Sequence, residues 1–280
     1  MHGCGNDYIY VDCFNQVVDN PAQLSIELSN RHYGIGGDGL ILVCPSKIAD
    51  AKMRMFNIDG SEGKMCGNGI RCVGKFLFDN DIVDNNKDHV TIETLSGVKF
   101  LKVFKENNVV KSLRVDMGGA DFNPSSIPIN IKSDKVINYP IQIGGKDYRI
   151  NCVSMGNPHC VIFCDNIKDI NIKEVGPLFE KNDLFPEGVN TEFAKIIDDK
   201  TIEMRVWERG SGETLACGTG ACAVVAAAIK NSYCQINTDI TVVLKGGKLI
   251  INYNNDGVLM TGSAKKVFEG EIEIWQSIYL

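Results

Sequence analysis

Two cysteines stand in the same short motif in the two halves of the chain. Cys66 begins Cys-Gly-Asn-Gly and Cys217 begins Cys-Gly-Thr-Gly, and each motif leads into a helix-like run. The glycines permit a tight turn and a close backbone approach by a ligand. A helix N-terminus offers free N–H groups and a positive partial charge to an anion, and the same field lowers the pKa of a nearby thiol. The pattern predicts two reactive thiols beside a carboxylate site.

The two motifs belong to a longer internal repeat. Residues 53–73 and 204–224 align at an offset of 151 without gaps, and seven of the 21 pairs are identical. Average composition would give about one or two identities by chance. The repeat predicts two homologous lobes, the first over 1–117 and the second over 118–262, with a boundary in the Gly- and Pro-bearing stretch that begins at Gly118.

Each lobe is predicted to be mixed α/β, of the α+β type, with a strand-rich sheet wrapped around one main helix. Short β-branched and aromatic runs predict strands. Helix-like patterns cover Ala22–Asn30, Gly69–Asp79 and about Thr219–Lys230. Pseudo-symmetry would bring the two Cys-Gly-x-Gly turns to one pocket between the lobes.

Two further segments carry expectations about the edges of the fold. The run Lys265–Trp275 predicts a strand without a repeat partner, and residues 263–280 are candidates to pack back on the first lobe. Tyr148–Val153 is also strand-like, and its counterpart would fall at or before Met1. We therefore expect the first lobe to lack a short first strand.

Composition narrows the classes of function. The 280 residues carry a net charge of −6 and no dense Lys/Arg block, which disfavours nucleic acids and anionic membranes as partners. No run approaches the roughly 20 apolar residues of a membrane span. The start at Met1 lacks the features of a signal peptide, so we expect a cytoplasmic protein in which the 11 cysteines are free thiols.

Thiols on opposite faces of one carbon suit the inversion of an amino-acid α-carbon. One group must remove the α-proton while the other returns a proton from the opposite side. An unactivated α-proton is a very weak acid, so the developing charge on the carboxylate also needs stabilisation, which two helix N-termini would supply. The residues alone therefore favour a two-base racemase or epimerase.

The chain resembles the diaminopimelate epimerases over nearly its whole length. The resemblance rests on several ordered motifs, namely His2-Gly3-Cys4-Gly5-Asn6-Asp7, Arg31 to Gly39, Asn57 to Glu62, Met65 to Cys72, Gly156-Asn157-Pro158-His159, Gly188 to Thr191, and Glu208-Arg209-Gly210 with Ala216 to Gly220. The family interconverts LL- and meso-diaminopimelate for lysine and cell-wall synthesis, and the resemblance implies no cofactor and no metal.

The resemblance also implies a role for each matching position. Cys66 and Cys217 would be the acid/base pair, and His159 and Glu208 would help set the thiol pKa values. The reacting carboxylate would lie on Gly67, Asn68, Gly218 and Thr219. The distal amino-acid end would meet Asn6, Asn57, Asn157, Asn190, Glu208 and Arg209. The partner would be a small amino-acid substrate, and a homodimer is compatible with the chain.

Several of these residues also have structural interpretations. His159 could be a hydrogen-bonded strand histidine, and Glu208 with Arg209 could form a surface ion pair, although their repeat partners Asn57 and Ile58 favour the pocket. Arg71 and Arg205 are interpreted as structural. One position departs from the family, because Gly39 stands where some members carry a substrate-contacting Gln, and no side-chain contact is expected there.

Three other functions remain open at this point. A proline or hydroxyproline racemase would share the two cysteines, but that group tends to carry a histidine where this chain has Asn68. A structural zinc protein is suggested only by the number of cysteines, whose spacings are not those of paired CxxC ligands. A binding module would hold the amino acid without exchanging its α-proton.

Overall fold

The computed structural model describes residues 1–273, and within that range it contains eighteen strands and four α-helices. The strands of the first lobe are β1 His2–Gly3, β2 Asn6–Asp7, β3 Ile9–Asp12, β4 Gly39–Cys44, β5 Ala51–Asn57, β6 Glu62–Gly63, β7 His89–Thr94, β8 Gly97–Glu106 and β9 Val109–Asp116. Those of the second are β10 Tyr139–Ile143, β11 Lys146–Ser154, β12 Pro158–Phe163, β13 Asn190–Asp198, β14 Thr201–Glu208, β15 Gly212–Thr214, β16 Asp239–Leu244, β17 Gly247–Tyr253 and β18 Val258–Ser263. The predicted mixed α/β class is confirmed.

Four helices lie between strands, at equivalent positions in the two lobes. They are α1 Pro21–Ser29, α2 Gly67–Asp79, α3 Ile172–Glu180 and α4 Gly218–Lys230, and Pro124–Ser126 form a 3₁₀ turn. Helices α2 and α4 are both 13 residues long and begin 151 positions apart, as the repeat requires. Among the helices of residues 1–273, none is long and apolar enough to cross a membrane.

One continuous sheet carries the repeat. Its main path runs β10-β11-β12-β13-β14-β16-β17-β18-β9-β8-β7-β5-β4-β3, with β15 on β14 and β6 on β5. The antiparallel pair β9–β18 lies at the centre, with Val115 opposite Met260. On either side of that pair the strands follow one another in the same order, so the two lobes are related by pseudo-symmetry around it.

The two main helices are buried by the strands that curl around them. In α4, ten of the thirteen residues are buried, and the apolar residues Ala221–Ala228 lie in the largest core cluster. In α2, Gly74 lets the helix approach β9 closely, because a Cβ there would collide with Leu113. Helices buried this way fix the positions of their N-termini, which are the ends that carry Cys66 and Cys217.

The fold differs from the sequence-based expectations at two places. Helix α3 was not predicted, since Gly176 and Pro177 lie inside it and both disfavour helix locally. The predicted strand Lys265–Trp275 is wrong over 265–273, where only Lys265 bridges to His2, while residues 274 and 275 lie outside the described part. At the sheet ends, β3 has one neighbour within residues 1–273, whereas its counterpart β12 has β11 and β13.

Candidate active site

Each motif cysteine is the N-cap of a buried helix. The Cys66 Sγ accepts a hydrogen bond from the Gly69 backbone N–H at 3.3 Å, and the Cys217 Sγ accepts one from Gly220 at 3.3 Å. Both cysteines have extended backbone angles, as N-cap residues do. The repeat therefore places two sulfur atoms in equivalent positions at the starts of α2 and α4.

The two helix starts meet around one methionine. A Cβ added to Gly67 would lie 2.8 Å from Met260 Cε, and one added to Gly218 would lie 3.1 Å from Met260 Sδ. The Asn68 side-chain amide also crosses between the lobes, donating to the Ala216 carbonyl at 3.4 Å. The predicted convergence of the two motifs is therefore seen in the structure, with β18 forming the floor between them.

Glu208 lies close to both thiols. Its carboxylate accepts a hydrogen bond from the Thr214 hydroxyl, and the Cys217 thiol lowers the pKa of the Glu208 carboxyl. The charge of Glu208 raises the pKa of Cys66 as well as that of Cys217. Burial raises the pKa of Glu208 itself, and its hydrogen bonds offset part of that effect. One carboxyl group thus acts on the two sulfur atoms.

The expectation that the field of the helix termini brings the thiol pKa values toward neutrality is wrong, because the net shift of both is upward. Burial is the largest influence and raises the pKa of both Cys66 and Cys217. The N–H groups of Gly69 and Gly220 lower them, but by less. Both thiols are therefore protonated at neutral pH. Forming a thiolate at either cysteine requires a further interaction that favours the charged sulfur.

The raised pKa values of Cys66 and Cys217 predict how their reaction with iodoacetamide depends on pH. Because only thiolate is alkylated, labelling of Cys66 and Cys217 should rise about tenfold per pH unit from pH 7 to 9 without levelling off. Cys44 is an internal control, since a hydrogen bond from Cys13 lowers the pKa of Cys44 to about 7. Peptide mass spectrometry should show its labelling rate levelling near pH 8. A plateau for Cys66 below pH 8 would contradict the burial argument.

The first lobe supplies Asn6 and Tyr8 beside Cys66. The Cys66 thiol donates to Asn6 Oδ1 at 3.3 Å, and the Asn6 amide donates to Asp38 at 2.8 Å. Burial, reinforced by neighbouring Cys66, Asp38 and Glu208, raises the pKa of Tyr8. Tyr8 was not predicted as a site residue, although its repeat partner is His159.

The second lobe supplies Asn157 and Thr219 beside Cys217. The Asn157 amide donates to Thr219 Oγ1 at 3.3 Å, and that oxygen lies 3.5 Å from the Cys217 sulfur. His159 is fully buried, with Nε2 3.0 Å from Asn157 Oδ1 and Nδ1 2.6 Å from Glu192. The predicted residues Asn157, His159, Thr219 and Cys217 are therefore connected in space.

The residues expected at the distal substrate end are only partly brought together. Asn190 accepts from the Arg209 backbone N–H at 3.0 Å and donates to the Pro158 carbonyl at 2.8 Å. The Arg209 guanidinium donates to the Glu187 carbonyl at 2.8 Å. Asn57, in contrast, donates to Ser61 within its own turn, and the described contacts do not join it to Asn190 or Arg209.

Arg71 lies in α2 and its side chain holds the start of that helix in place, which agrees with its structural interpretation. The fully buried guanidinium donates to the Gly67 carbonyl and to Asn68 Oδ1, both at 2.9 Å, and to the Ser263 carbonyl at 3.4 Å. These bonds tie the start of α2 to the end of β18. Arg71 also lowers the pKa of Cys66 slightly against the larger effect of burial.

Gly39 occupies a position that no larger residue fits. Its φ is +152°, and a Cβ would collide with the Phe56 carbonyl and lie 2.8 Å from the Tyr8 ring. We expect Gly39→Gln to lower the free energy of unfolding by about 1–3 kcal/mol through strain, measured by urea denaturation. Gly119→Gln is the control, because nothing lies within 4 Å of a Cβ there. Equal urea midpoints for the two variants would count against the argument.

The fold and the site together define a class of protein built from two homologous lobes, each of which presents a cysteine at the start of its main helix. The chain belongs to the diaminopimelate epimerase family, whose model matches residues 1–123 and 151–267. Curated relatives named diaminopimelate epimerase include those of Acetivibrio thermocellus and Methanococcus maripaludis. Each is 50% identical over 276 residues, covering 98% of this chain and 97% or 98% of the relative.

Solved structures share the fold at low sequence identity. A hydroxyproline epimerase from Agrobacterium vitis has a TM-score of 0.64 at 15% identity, covering 94% of this chain and 87% of that one. A Bacillus anthracis protein of the PhzF family has a TM-score of 0.66 at 16% identity, covering 94% and 91%. Within residues 1–273, no group of three His, Cys, Asp or Glu side chains is placed to hold a metal ion.

Proposed function

We propose that the protein interconverts LL- and meso-diaminopimelate by a cofactor-independent two-base mechanism. The observation that carries the proposal is the pair of cysteine N-caps on two helices whose first residues meet at Met260. The names of the relatives supply the substrate, which the two cysteines alone do not specify.

In this proposal the α-carboxylate lies between the helix starts. The N–H groups at Gly67-Asn68 and Gly218-Thr219 stabilise the charge that develops as the α-proton leaves. One cysteine, as thiolate, takes the proton, and the other, as thiol, donates one to the opposite face. The roles exchange when the substrate has the opposite configuration, so both sulfur atoms act in each direction.

The protein must also generate a thiolate against the effect of burial. We assign Glu208 the role of accepting the Cys217 proton, since its raised pKa makes that exchange more balanced than it would be with an ordinary carboxylate. His159 acts on Cys217 through Asn157 and Thr219. We assign these two residues the tuning of the cysteine pair.

The distal end of the substrate carries a second ammonium and a second carboxylate. Arg209 suits the carboxylate, since its planar guanidinium can form two parallel hydrogen bonds to it. Asn6, Asn57, Asn157 and Asn190 offer both donors and acceptors, and Glu208 suits the ammonium. Asn57 would have to leave Ser61 to take part.

We infer a small amino-acid ligand, no nucleic-acid or membrane partner, a cytoplasmic location, and a homodimer as the form to test by light scattering. The net charge of −6 supports the absence of nucleic-acid and anionic-membrane partners.

The experiment that tests the substrate compares diaminopimelate with proline. Purified, reduced protein is incubated with LL-diaminopimelate or L-proline, and the stereoisomers are separated by chiral chromatography. Formation of meso-diaminopimelate with unchanged proline supports the proposal. Inversion of proline instead would reassign the substrate, and tight binding without inversion of either would leave an amino-acid-binding module.

A further inference from the structure

Two cysteines outside the active site lie side by side in the first lobe. Strand β3 runs parallel to β4 with Asp12 opposite Val43, and the Cys13 N–H continues this ladder by donating to the Val43 carbonyl at 2.9 Å. Cys13 is therefore opposite Cys44 on the neighbouring strand. Both side chains belong to the apolar cluster that β4 shares with α1, so they lie on the same face of the sheet.

The spacing of the two residues suits a disulfide. Neighbouring strands lie about 4.8 Å apart, and disulfides usually join Cα atoms that are about 4.4–6.8 Å apart. Because both side chains lie on one face, the sulfur atoms can meet without a change of strand register. Cys44 is half-buried and Cys13 is buried, so a small solute reaches Cys44 more readily.

The surroundings of the pair favour a thiolate at Cys44. A hydrogen bond from Cys13 is the main cause that lowers the pKa of Cys44 to about 7. The charges of Arg54 and Lys52 on β5 act in the same direction, and burial opposes them. The same hydrogen bond, burial and the charge of Asp12 raise the pKa of Cys13. Cys44 is therefore the nucleophile of the pair, and Cys13 is its protonated partner.

The repeat shows that the fold does not require two thiols at this place. The positions equivalent to Cys13 and Cys44 in the second lobe are Cys164 and Lys195, so the same strand ends carry a single thiol there. The pair also lies at the carboxyl ends of two parallel strands, whereas Tyr8, beside the active site, precedes β3. The two thiols therefore form a cluster of their own, apart from the proposed acid/base pair.

We propose that Cys13 and Cys44 form a redox-active pair that reacts with hydrogen peroxide and closes to a reversible disulfide. The Cys44 sulfur attacks one peroxide oxygen, the O–O bond breaks, and Cys44 becomes a sulfenic acid while the other oxygen leaves as hydroxide. The Cys13 thiol then attacks that sulfur, and the S–O bond breaks. The sulfenic oxygen leaves as water with the Cys13 proton. One peroxide is reduced, and the two thiols together lose two electrons.

A second pair of neighbouring cysteines provides an internal control. Cys152 of β11 is directly opposite Cys160 of β12, and both are fully buried. Burial raises the pKa of Cys160 well above its ordinary value. Adjacent positions on two strands therefore do not by themselves make a reactive pair. These two thiols should stay reduced under conditions that oxidise Cys44.

The experiment treats the substrate-free, unmodified protein with a small molar excess of hydrogen peroxide at about pH 7.5. Remaining thiols are blocked with N-ethylmaleimide, and unreduced peptides are mapped by mass spectrometry. We expect a peptide pair linked through Cys13 and Cys44, lost on reduction with dithiothreitol. It should form at least about tenfold faster than Cys66 or Cys217 is oxidised, because the thiolate is the reactive form. Absence of the linked pair, linkage of Cys44 to another cysteine, or no difference in rate would overturn the proposal.

Two variants test the roles of the two thiols. Cys13→Ser keeps a hydrogen-bond donor beside Cys44 but cannot close the disulfide, so Cys44 should accumulate as a sulfenic acid that dimedone traps, and then as a sulfinic acid. Equal amounts of sulfinic acid in the unmodified protein would show that Cys13 does not protect Cys44. Cys44→Ser should leave Cys13 reduced, and rapid oxidation of Cys13 in that variant would contradict the assignment of the nucleophile. The peptide map of the unmodified protein decides the proposal even if a variant does not fold.

Discussion

Replacement of either Cys66 or Cys217 by alanine is expected to reduce epimerisation by about 10²–10⁴-fold, the usual contribution of one acid or base group. Both directions of the reaction should fall together, because each direction uses one sulfur as base and the other as acid. The rates are measured by following meso- and LL-diaminopimelate after starting from either isomer.

The two single variants should still differ from one another. The remaining thiol can remove the α-proton from the face that it addresses and return a solvent deuteron to the same face. Each variant is therefore expected to exchange the proton of one stereoisomer without inverting it, and the two variants should act on opposite isomers. Exchange of the same isomer by both would place the two sulfur atoms on one face.

Buried cysteines on the same helices provide the controls. Cys72 lies in α2 and Cys222 in α4, and both side chains are fully buried away from the helix starts. Cys72→Ala and Cys222→Ala should keep epimerisation within about threefold of the unmodified protein, since neither sulfur caps a helix. Loss of activity in these variants to the level of Cys66→Ala would show that catalysis does not depend specifically on the two N-cap cysteines.

The second large effect is expected on stability. Arg71→Ala should lower the free energy of unfolding by about 3–5 kcal/mol, because it leaves a cavity and deprives the Gly67 and Ser263 carbonyls and the Asn68 side chain of a charged donor. Urea denaturation followed by circular dichroism measures the change. Epimerisation should also fall, since Asn68 would lose the bond that orients it.

An exposed arginine is the matched control for Arg71. Arg54 pairs with Glu62 at 2.8 Å, and the side chains are 36% and 30% exposed. Such a surface pair contributes about 0–1 kcal/mol, so Arg54→Ala should shift the urea midpoint little. A midpoint for Arg71→Ala equal to that of Arg54→Ala would show that the buried guanidinium does not hold α2 to β18.

The parts of the fold that could be predicted are those encoded locally and twice. The repeat located both main helices, and the predicted starts at Gly69 and Thr219 lie within two residues of the observed ones. The glycines after each cysteine mark the turn, and the apolar pattern that follows marks the helix. Such signals need no knowledge of distant contacts.

Features that depend on distant contacts could not be predicted in the same way. The β9–β18 pairing joins segments far apart in the chain, and no local pattern specifies it. Helix α3 contains Gly176 and Pro177, so its local pattern is weak, and it is supported by Trp207, which packs directly on Gly176 and whose ring N–H bonds to Glu180. Its bounds lie 151 positions after those of α1, so the repeat held a signal for this helix that the local pattern did not. In both cases tertiary packing outweighs local propensity.

The site also combines features that local sequence predicts with features that depend on distant contacts. The motifs identified the cysteines and their helix starts, whereas the direction of the thiol pKa shifts follows from burial, which the motifs do not report. Glu192 was missed although a signal was present, because the repeat sets an acid opposite Ile41 within an apolar strand. Comparing repeat partners for changes of chemical type, as well as for identities, would have found it.

If two side chains on opposite faces act on one carbon, the fate of hydrogen in the first turnovers shows it most directly. Reduced protein is mixed with LL-diaminopimelate in deuterated water, and the isomers are separated and analysed by NMR before a tenth of the substrate has reacted. Two monoprotic thiols predict meso product with a deuteron at the inverted carbon, while the remaining LL isomer stays unlabelled. Product that retains the original proton, or deuterium that enters the LL isomer as fast as product forms, would contradict the two-base account.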